Sequence, residues 1–197
     1  MKKIILIVLI TLIVLLSLLK YFGIFGTEKY YRADQSAVVK EIVALNRLET
    51  ASFNIEKIIE AGSAGNSLQN ILFGDKILLI AHGQVIAGFD LSKISKENVE
   101  VSGEILNLQL SAPEILVTKL DSEKTRVYDR KLGWLTKGDS NLETGARLVA
   151  EQEIRRAACE SRILDIATEN LKKQFTAMFQ GVGFQEVNID VAVAECK

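Results

Sequence analysis

Proline, histidine and tryptophan each occur once in 197 residues, and cysteine occurs twice. So few ligating side chains exclude the Cys/His-rich zinc scaffolds, and two cysteines cannot staple a coreless miniprotein. Charge of one sign is also lacking. The 24 Lys and Arg face 25 Asp and Glu, a net −1, so no overall basic field exists to gather nucleic acid. Equally missing are a Gly-x-Ser-x-Gly nucleophile elbow, a phosphate-cradling glycine-rich loop and a paired metal-ligand motif. What is abundant is apolar side chain, 48% of the chain, enough to bury the core of one or two domains and to exclude disorder throughout.

That apolar content is concentrated first at the N-terminus. Between Lys2-Lys3 and Lys20 runs Ile4 to Leu19, whose only polar members, Thr11 and Ser17, can bond back to a helix backbone. Sixteen helical residues rise about 24 Å, short of a hydrocarbon core of about 30 Å. The span closes if Lys20 snorkels and the run continues to Phe25. A cleaved secretory signal shares the basic start and apolar run, but Gly23 and Gly26 lack the second small residue two positions earlier, where Tyr21 and Ile24 stand. The expectation is an uncleaved, single-pass anchor in the cytoplasmic membrane that meets the lipid bilayer through Ile4–Phe25. The basic leading end would stay cytoplasmic and the C-terminal body would lie outside the cytoplasm. Setting aside Lys2, Lys3 and Lys20 leaves 21 basic against 25 acidic residues, a body of −4 that argues against an electrostatic hold on anionic lipid. The expected divisions are residues 1–26 for start and anchor, 27–46 for a juxtamembrane stalk, and 47–197 for the body. In the stalk, Tyr30-Tyr31-Arg32 caps the span, and Val38, Val39, Ile42, Val43 and Leu45 mark a helical face.

From Arg47 the apolar period drops to two: Ala51, Phe53 and Ile55 alternate with Ser52, Asn54 and Glu56, as in a half-buried strand. Ala61 to Ser67 is rich in small residues and reads as a surface loop. Ile77–Ala81 and Val85–Phe89 then read as strands around a His82-Gly83-Gln84 turn. Glu97–Val101 and Ile105–Leu110 flank Ser102-Gly103-Glu104, and Ile115–Thr118 and Thr125–Tyr128 flank Asp121–Lys124. Short strands joined by tight turns predict a mostly antiparallel sheet, with Pro113 at a strand start or edge.

The last third turns helical. Ser140 and Glu143 stand at capping-box spacing. Apolar side chains follow in steps of three and four: Leu142, Ala146, Val149, Ile154, Ala157, Leu164, Ala167, Leu171, Phe175, Met178 and Val182. The stripe serves an intramolecular core or self-association, the former favoured. A break near Ser161 would divide a helical segment too long for a compact domain, Gly181 and Gly183 would stop it, and Val187, Ile189, Val191 and Val193 alternate as a final strand. The fold class is therefore α+β: an N-terminal transmembrane helix, a mostly antiparallel sheet, a long C-terminal helical segment and a last strand.

Three segments carry a resemblance: Arg47–Lys57, Leu79–Leu91 and Lys119–Asp129. Together they resemble an uncharacterised bacterial family, domain of unknown function 4230, over roughly residues 35 to 193. The resemblance implies an N-terminal anchor and an exported body, and it brings no catalytic residue, cofactor or substrate. The order of anchor, strands, helix and the Gly183–Val191 segment is similar, at the level of topology alone, to the stomatin/prohibitin (band 7) layout.

Chemistry has few places to reside. His82 is the sole imidazole, more readily a turn residue than a general base. Glu49, Glu56, Glu60, Asp75 and Asp90 would serve catalysis only if the fold gathers them, and His82 with Asp90 is the weak candidate metal pair. Cys159 and Cys196 either form one disulfide, as an exported domain allows, or are a small buried residue and a frayed end. Trp134 and Tyr128 form a binding patch or, more commonly for sheet-end aromatics, lids on the core. The leading expectation is a non-enzymatic interaction or assembly module, with protein partners or a second copy of itself, no nucleic acid and no cofactor. A hydrolytic or metal-dependent enzyme with acids near His82 is the alternative.

Overall fold

The computed structural model describes residues 2–21, 34–62 and 66–196. The chain divides into two units, Met1–Arg32 and Ala33–Lys197. The first contains helix α1, Lys2–Tyr21, whose 20 residues rise about 30 Å. Ser17 Oγ donates to the Val14 carbonyl, 3.0 Å away, so this hydroxyl is satisfied within the helix. Taken over the described side chains, no helix is long and apolar enough to cross a membrane. The Tyr30-Tyr31-Arg32 cap and residues 22–25 of the expected span lie outside the described residues.

The second unit begins with α2, Gln35–Ala44, which buries Val38 and Ile42 of the expected helical face. Asn46, at φ 53°, turns the chain into β1, Arg47–Gly62. Two residues of the expected 61–67 loop belong to β1, 63–65 lie outside the described residues, and Ser67 opens α3, Ser67–Phe73. β2, Asp75–Asp90, returns antiparallel to β1 in a register running from Arg47↔Asp90 to Gly62↔Lys76. Its one irregularity is a bulge at Thr50, where alternation shifts phase so that Thr50 and Ala51 are both buried.

β2 corrects the expected turn at His82-Gly83-Gln84, because it runs through these residues as one strand. Gly83 serves packing rather than turning. A Cβ there would lie 2.7 Å from Ile154 Cδ1 and 2.9 Å from the Lys119 carbonyl, so the bare backbone admits a helix side chain. The third expected hairpin is also corrected. β5, Glu114–Leu120, and β6, Arg126–Leu132, both pair with β2, at Gly83–Gly88 and Asp75–Ile80 respectively. The Asp121–Thr125 turn between them is a local excursion along one edge.

The Ser102-Gly103-Glu104 hairpin forms as expected, joining β3, Val99–Ser102, to β4, Ile105–Leu110, with Gly103 at φ 65°. Pro113 directly precedes β5, where its missing N–H interrupts no ladder. Helices α4, Leu142–Glu160, and α5, Ile163–Gly181, meet at Ser161-Arg162, where Arg162 adopts φ 58°. The capping box at Ser140 is not formed. Asn141 caps α4 without a side-chain bond, and Glu143 pairs with Arg147 at 2.9 Å. Gly183, at φ 109°, ends the helical segment. β7, Glu186–Val191, joins β4 in parallel, which the intervening α4 and α5 make possible. Every other pairing is antiparallel.

The helical stripe is intramolecular core: Ala146, Ala150, Ile154, Ala158, Ala167, Leu171 and Phe175 are buried against Leu79, Ala81, Val85 and Phe89. Val149 and Val182, placed on that stripe by spacing, are exposed. Cys159 of α4 and Cys196 of the tail form a disulfide with Cα atoms 5.6 Å apart.

Candidate functional site

Alternation along β2 sorts its side chains onto two faces. Ile77, Leu79, Ala81, Val85, Ala87 and Phe89 are buried beneath α4 and α5. The intervening residues point to the opposite face, which no helix of the described residues covers. Register assembles that face in cross-strand rows. Ser52, Ile86 and Val117 form one, Asn54, Gln84 and Lys119 the next, then Glu56 beside His82, and Ile58, Ile80 and Arg126. A solvated sheet face ordinarily reads as polar. Here Leu78 and Ile80 stand together with Ile58, which is 67% exposed opposite Ile80, and Ile86 lies beyond the polar His82 and Gln84.

At the middle of this face, between the ends of β5 and β6, lies a cleft of about 490 Å³. Asn54, Glu56, His82, Gln84, Lys119 and Asp121 supply its polar lining. The position of His82 is set by backbone. Its carbonyl accepts from Asp121 N at 2.8 Å and from Thr125 Oγ1 at 3.1 Å, while its N–H donates to Thr125 Oγ1 at 3.1 Å. The imidazole Nδ1 stands 3.6 Å from Glu56 Oε2, a loose pairing beyond hydrogen-bond length. Asp121 is committed to its own turn: one carboxylate oxygen accepts from Glu123 N and Lys124 N, and the other stands 3.2 Å from Lys124 Nζ. The Lys124 backbone bond, foremost, holds this carboxyl below the usual aspartate range. The cleft thus mixes both charges on a fixed frame.

The other candidates do not converge on it. Asp90 lies eight residues along the same strand from His82, about 26 Å at strand rise, so the proposed metal pair is not assembled. Asp90 instead accepts from Ser92 Oγ at 2.6 Å and from Ser92 N, which lower its pKa, and stands 3.6 Å from Lys93. Glu49 sits opposite Gly88, and Glu60 pairs with Lys76 at 2.6 Å. Among the described residues, no group of three or more His, Cys, Asp or Glu could hold a metal ion.

Asp75, the remaining acid, is buried at the far end of β2, where Arg130 grips it with Nε at 3.1 Å and Nη2 at 2.6 Å. Asp139 N adds a bond of 2.7 Å. The Arg130 hydrogen bonds outweigh burial and hold this carboxyl below the ordinary value. This clamp fixes the chain entering α4 and is structural.

Beside it, sequence spacing missed α3. Its start is marked by Asn66 and Gln69, with Asn66 N donating to Gln69 Oε1 at 3.2 Å, a capping-box signal in the wrong place for the expected loop. Trp134, 89% exposed, and Tyr128, 70% exposed, are not lids on the core. A lid needs something beneath the ring, whereas Trp134 is exposed just beyond β6 and Tyr128 is exposed at the irregularity of β6 opposite Leu78 and Leu79.

Residues 40–189, more than half of the 197-residue chain, match the family described as Protein of unknown function (DUF4230), and the chain belongs to that family. No curated protein and no solved structure matches it.

Proposed function

We propose that this family member is a single-pass membrane protein whose body, held outside the cytoplasm, acts as a non-enzymatic interaction module through its uncovered sheet face. The observation that carries the proposal is an apolar cluster on that face, Leu78 and Ile80 with Ile58, on the side opposite the helices and next to the polar cleft. Partner surfaces combine apolar contact with flanking polar groups, here Glu56, Gln84 and Lys119 on one side of the cluster. The anchoring half draws on α1, whose 20 residues match a hydrocarbon thickness of about 30 Å. Location outside the cytoplasm draws support from the Cys159–Cys196 bond, since such bonds persist in oxidising compartments. The likeness to the stomatin/prohibitin layout adds element order only.

A photoreactive residue at Ile58 in the full chain, irradiated in intact cells, tests the interaction. Repeatable adducts to defined proteins or a second copy are expected at Ile58, and none at exposed Arg156 on α4. Equal labelling at both positions, or none at either, contradicts the proposal. The hydrolytic or metal-dependent alternative would instead require turnover that falls when His82 or Glu56 is replaced.

A further inference from the structure

The end of the body at Trp134 carries more apolar surface than a lone chain ordinarily shows. Leu68, Ile71 and Phe73 of α3, with Leu132, Trp134 and Leu135, are each 50–89% exposed. Fully exposed residues of these types present about 180–250 Å² each, so the six leave roughly 750 Å² to solvent, most of it apolar. The largest apolar patch on a typical monomer is about 300–600 Å². One side of a standard protein–protein interface is about 800 Å², and the patch matches that figure.

The surface is rigid. Gly133 N donates to the Gly74 carbonyl at 2.7 Å, Trp134 N to that of Ile71 at 3.2 Å and Leu135 N to that of Leu72 at 2.7 Å. Carbonyls at a helix end thereby fix the 133–135 segment against α3. A Cβ at Gly133 would lie 2.7 Å from the Leu72 carbonyl carbon and oxygen, so this close approach requires glycine. Side chains on such a frame lose little ordering entropy when they are covered.

The same surface holds both a projection and a recess able to receive it. Trp134, 89% exposed, forms one wall of a cleft of about 650 Å³ whose apolar lining includes Ile71 and Leu132. Clefts of about 300–1,000 Å³ hold drug-sized molecules, so an indole enters with room to spare. The charged lining is Glu60 and Asp75 with Lys76 and Lys131, a balance of zero. Glu60 stands 2.6 Å from Lys76, and Arg130 holds Asp75. A strongly acidic or basic partner finds no opposing field here, whereas a second copy meets no like-charge field. A two-fold interface needs one patch that fits itself, residue i on j and j on i, and a projecting ring beside a recess meets that need.

We infer that two copies of this chain pair through the α3–Trp134 tip about a two-fold axis, each Trp134 ring seated in the cleft of the other copy.

Within that cleft Glu60 supplies an acceptor for the indole N–H, and Lys131 a cation for the face of the ring. The cleft adjoins Leu78, which faces Glu60 across β1 and β2, but the pairing depends neither on a partner at Ile58 nor on the anchor.

Trp134 is the only tryptophan, so its fluorescence reports this contact without labelling. The full chain in dodecyl maltoside would be followed by sedimentation velocity and emission over about 1 to 100 μM. The expected result is a rise from one chain to two, a blue shift in step with it, and about a twofold fall in quenching by aqueous acrylamide. Trp134→Ser should raise the dimer dissociation constant at least about tenfold. Leu135→Ser, which keeps the reporter, should raise it too and hold the emission near that of indole in water. Both positions are exposed, so circular dichroism should match that of the wild type. A chain that stays single over this range with Trp134 open to acrylamide overturns the inference. A dimer undiminished in Trp134→Ser also overturns it, since the contact would then lie on α1 or the sheet face. A blue shift independent of concentration, in a single chain, would mean that the micelle covers the ring and would overturn it as well. None of these outcomes touches Ile58, so the sheet-face reading stands or falls separately.

Discussion

Asp75 is the side chain on which the far end of β2 depends most. Its carboxylate accepts two bonds from Arg130 and one from Asp139 N while only 5% exposed. Asp75→Asn keeps the shape but weakens charge-assisted bonds, and should cost about 2 kcal/mol in urea unfolding. The pH dependence follows from the sign of the shift. The folded carboxyl titrates below its ordinary value of 3.8, so its stabilisation is complete above that value and is lost as pH falls through the lower folded one. Unfolding midpoints measured from about pH 4 downward, toward about pH 2, should fall more steeply in the wild type than in Asp75→Asn, with the two curves parallel above about pH 5. Curves that stay parallel down to that lower limit would show that the clamp does not carry this share of acid sensitivity. Nothing in the sequence singles out Arg130 as the partner, since 55 residues separate the two and only the β2–β6 register places them together.

Elements are held by close approach as much as by apolar area. α4 sits on β2 where Gly83 leaves room for Ile154, so Gly83→Ala should destabilise by about 1–3 kcal/mol through displacement of α4 or β5. Trimming the helix side in Gly83→Ala/Ile154→Val should recover part of the loss in chemical denaturation. An alanine variant as stable as the wild type would refute the close approach. The same glycine explains an error in reading the sequence. His82-Gly83-Gln84 resembles punctuation between two apolar runs, and local sequence does not distinguish a turn glycine from one facing a helix. Periodicity is more informative where burial is one-sided: β1 and β7 follow from it, whereas β4 follows from the turn at Ser102-Gly103-Glu104 and the α4–α5 division near Ser161 from helix length. The candidate site was less legible. His82 could be named from its rarity, but Glu56 and the Asp121 turn meet it through a register and a mid-strand excursion that no short window encodes. Trp134 was visible as a residue, whereas α3 beneath it lay hidden in a loop-like composition.

At the scale of the whole molecule, the Cys159–Cys196 bond joins α4 to the tail beyond β7 and closes a separation of 37 residues. In the chain-entropy model a loop of that size stabilises by about 4 kcal/mol. Reduction, or Cys196→Ser, should lower the denaturation midpoint accordingly, and two free thiols in protein taken from its native compartment would remove the support for an oxidising location. Membrane attachment is the claim on which location and role both depend. Its most direct test is the intact mass of the protein recovered from native membranes after an alkaline carbonate wash. The account predicts a species that stays in the membrane fraction and retains Ile4–Leu19; a species beginning near Thr27 and released into the wash would contradict it.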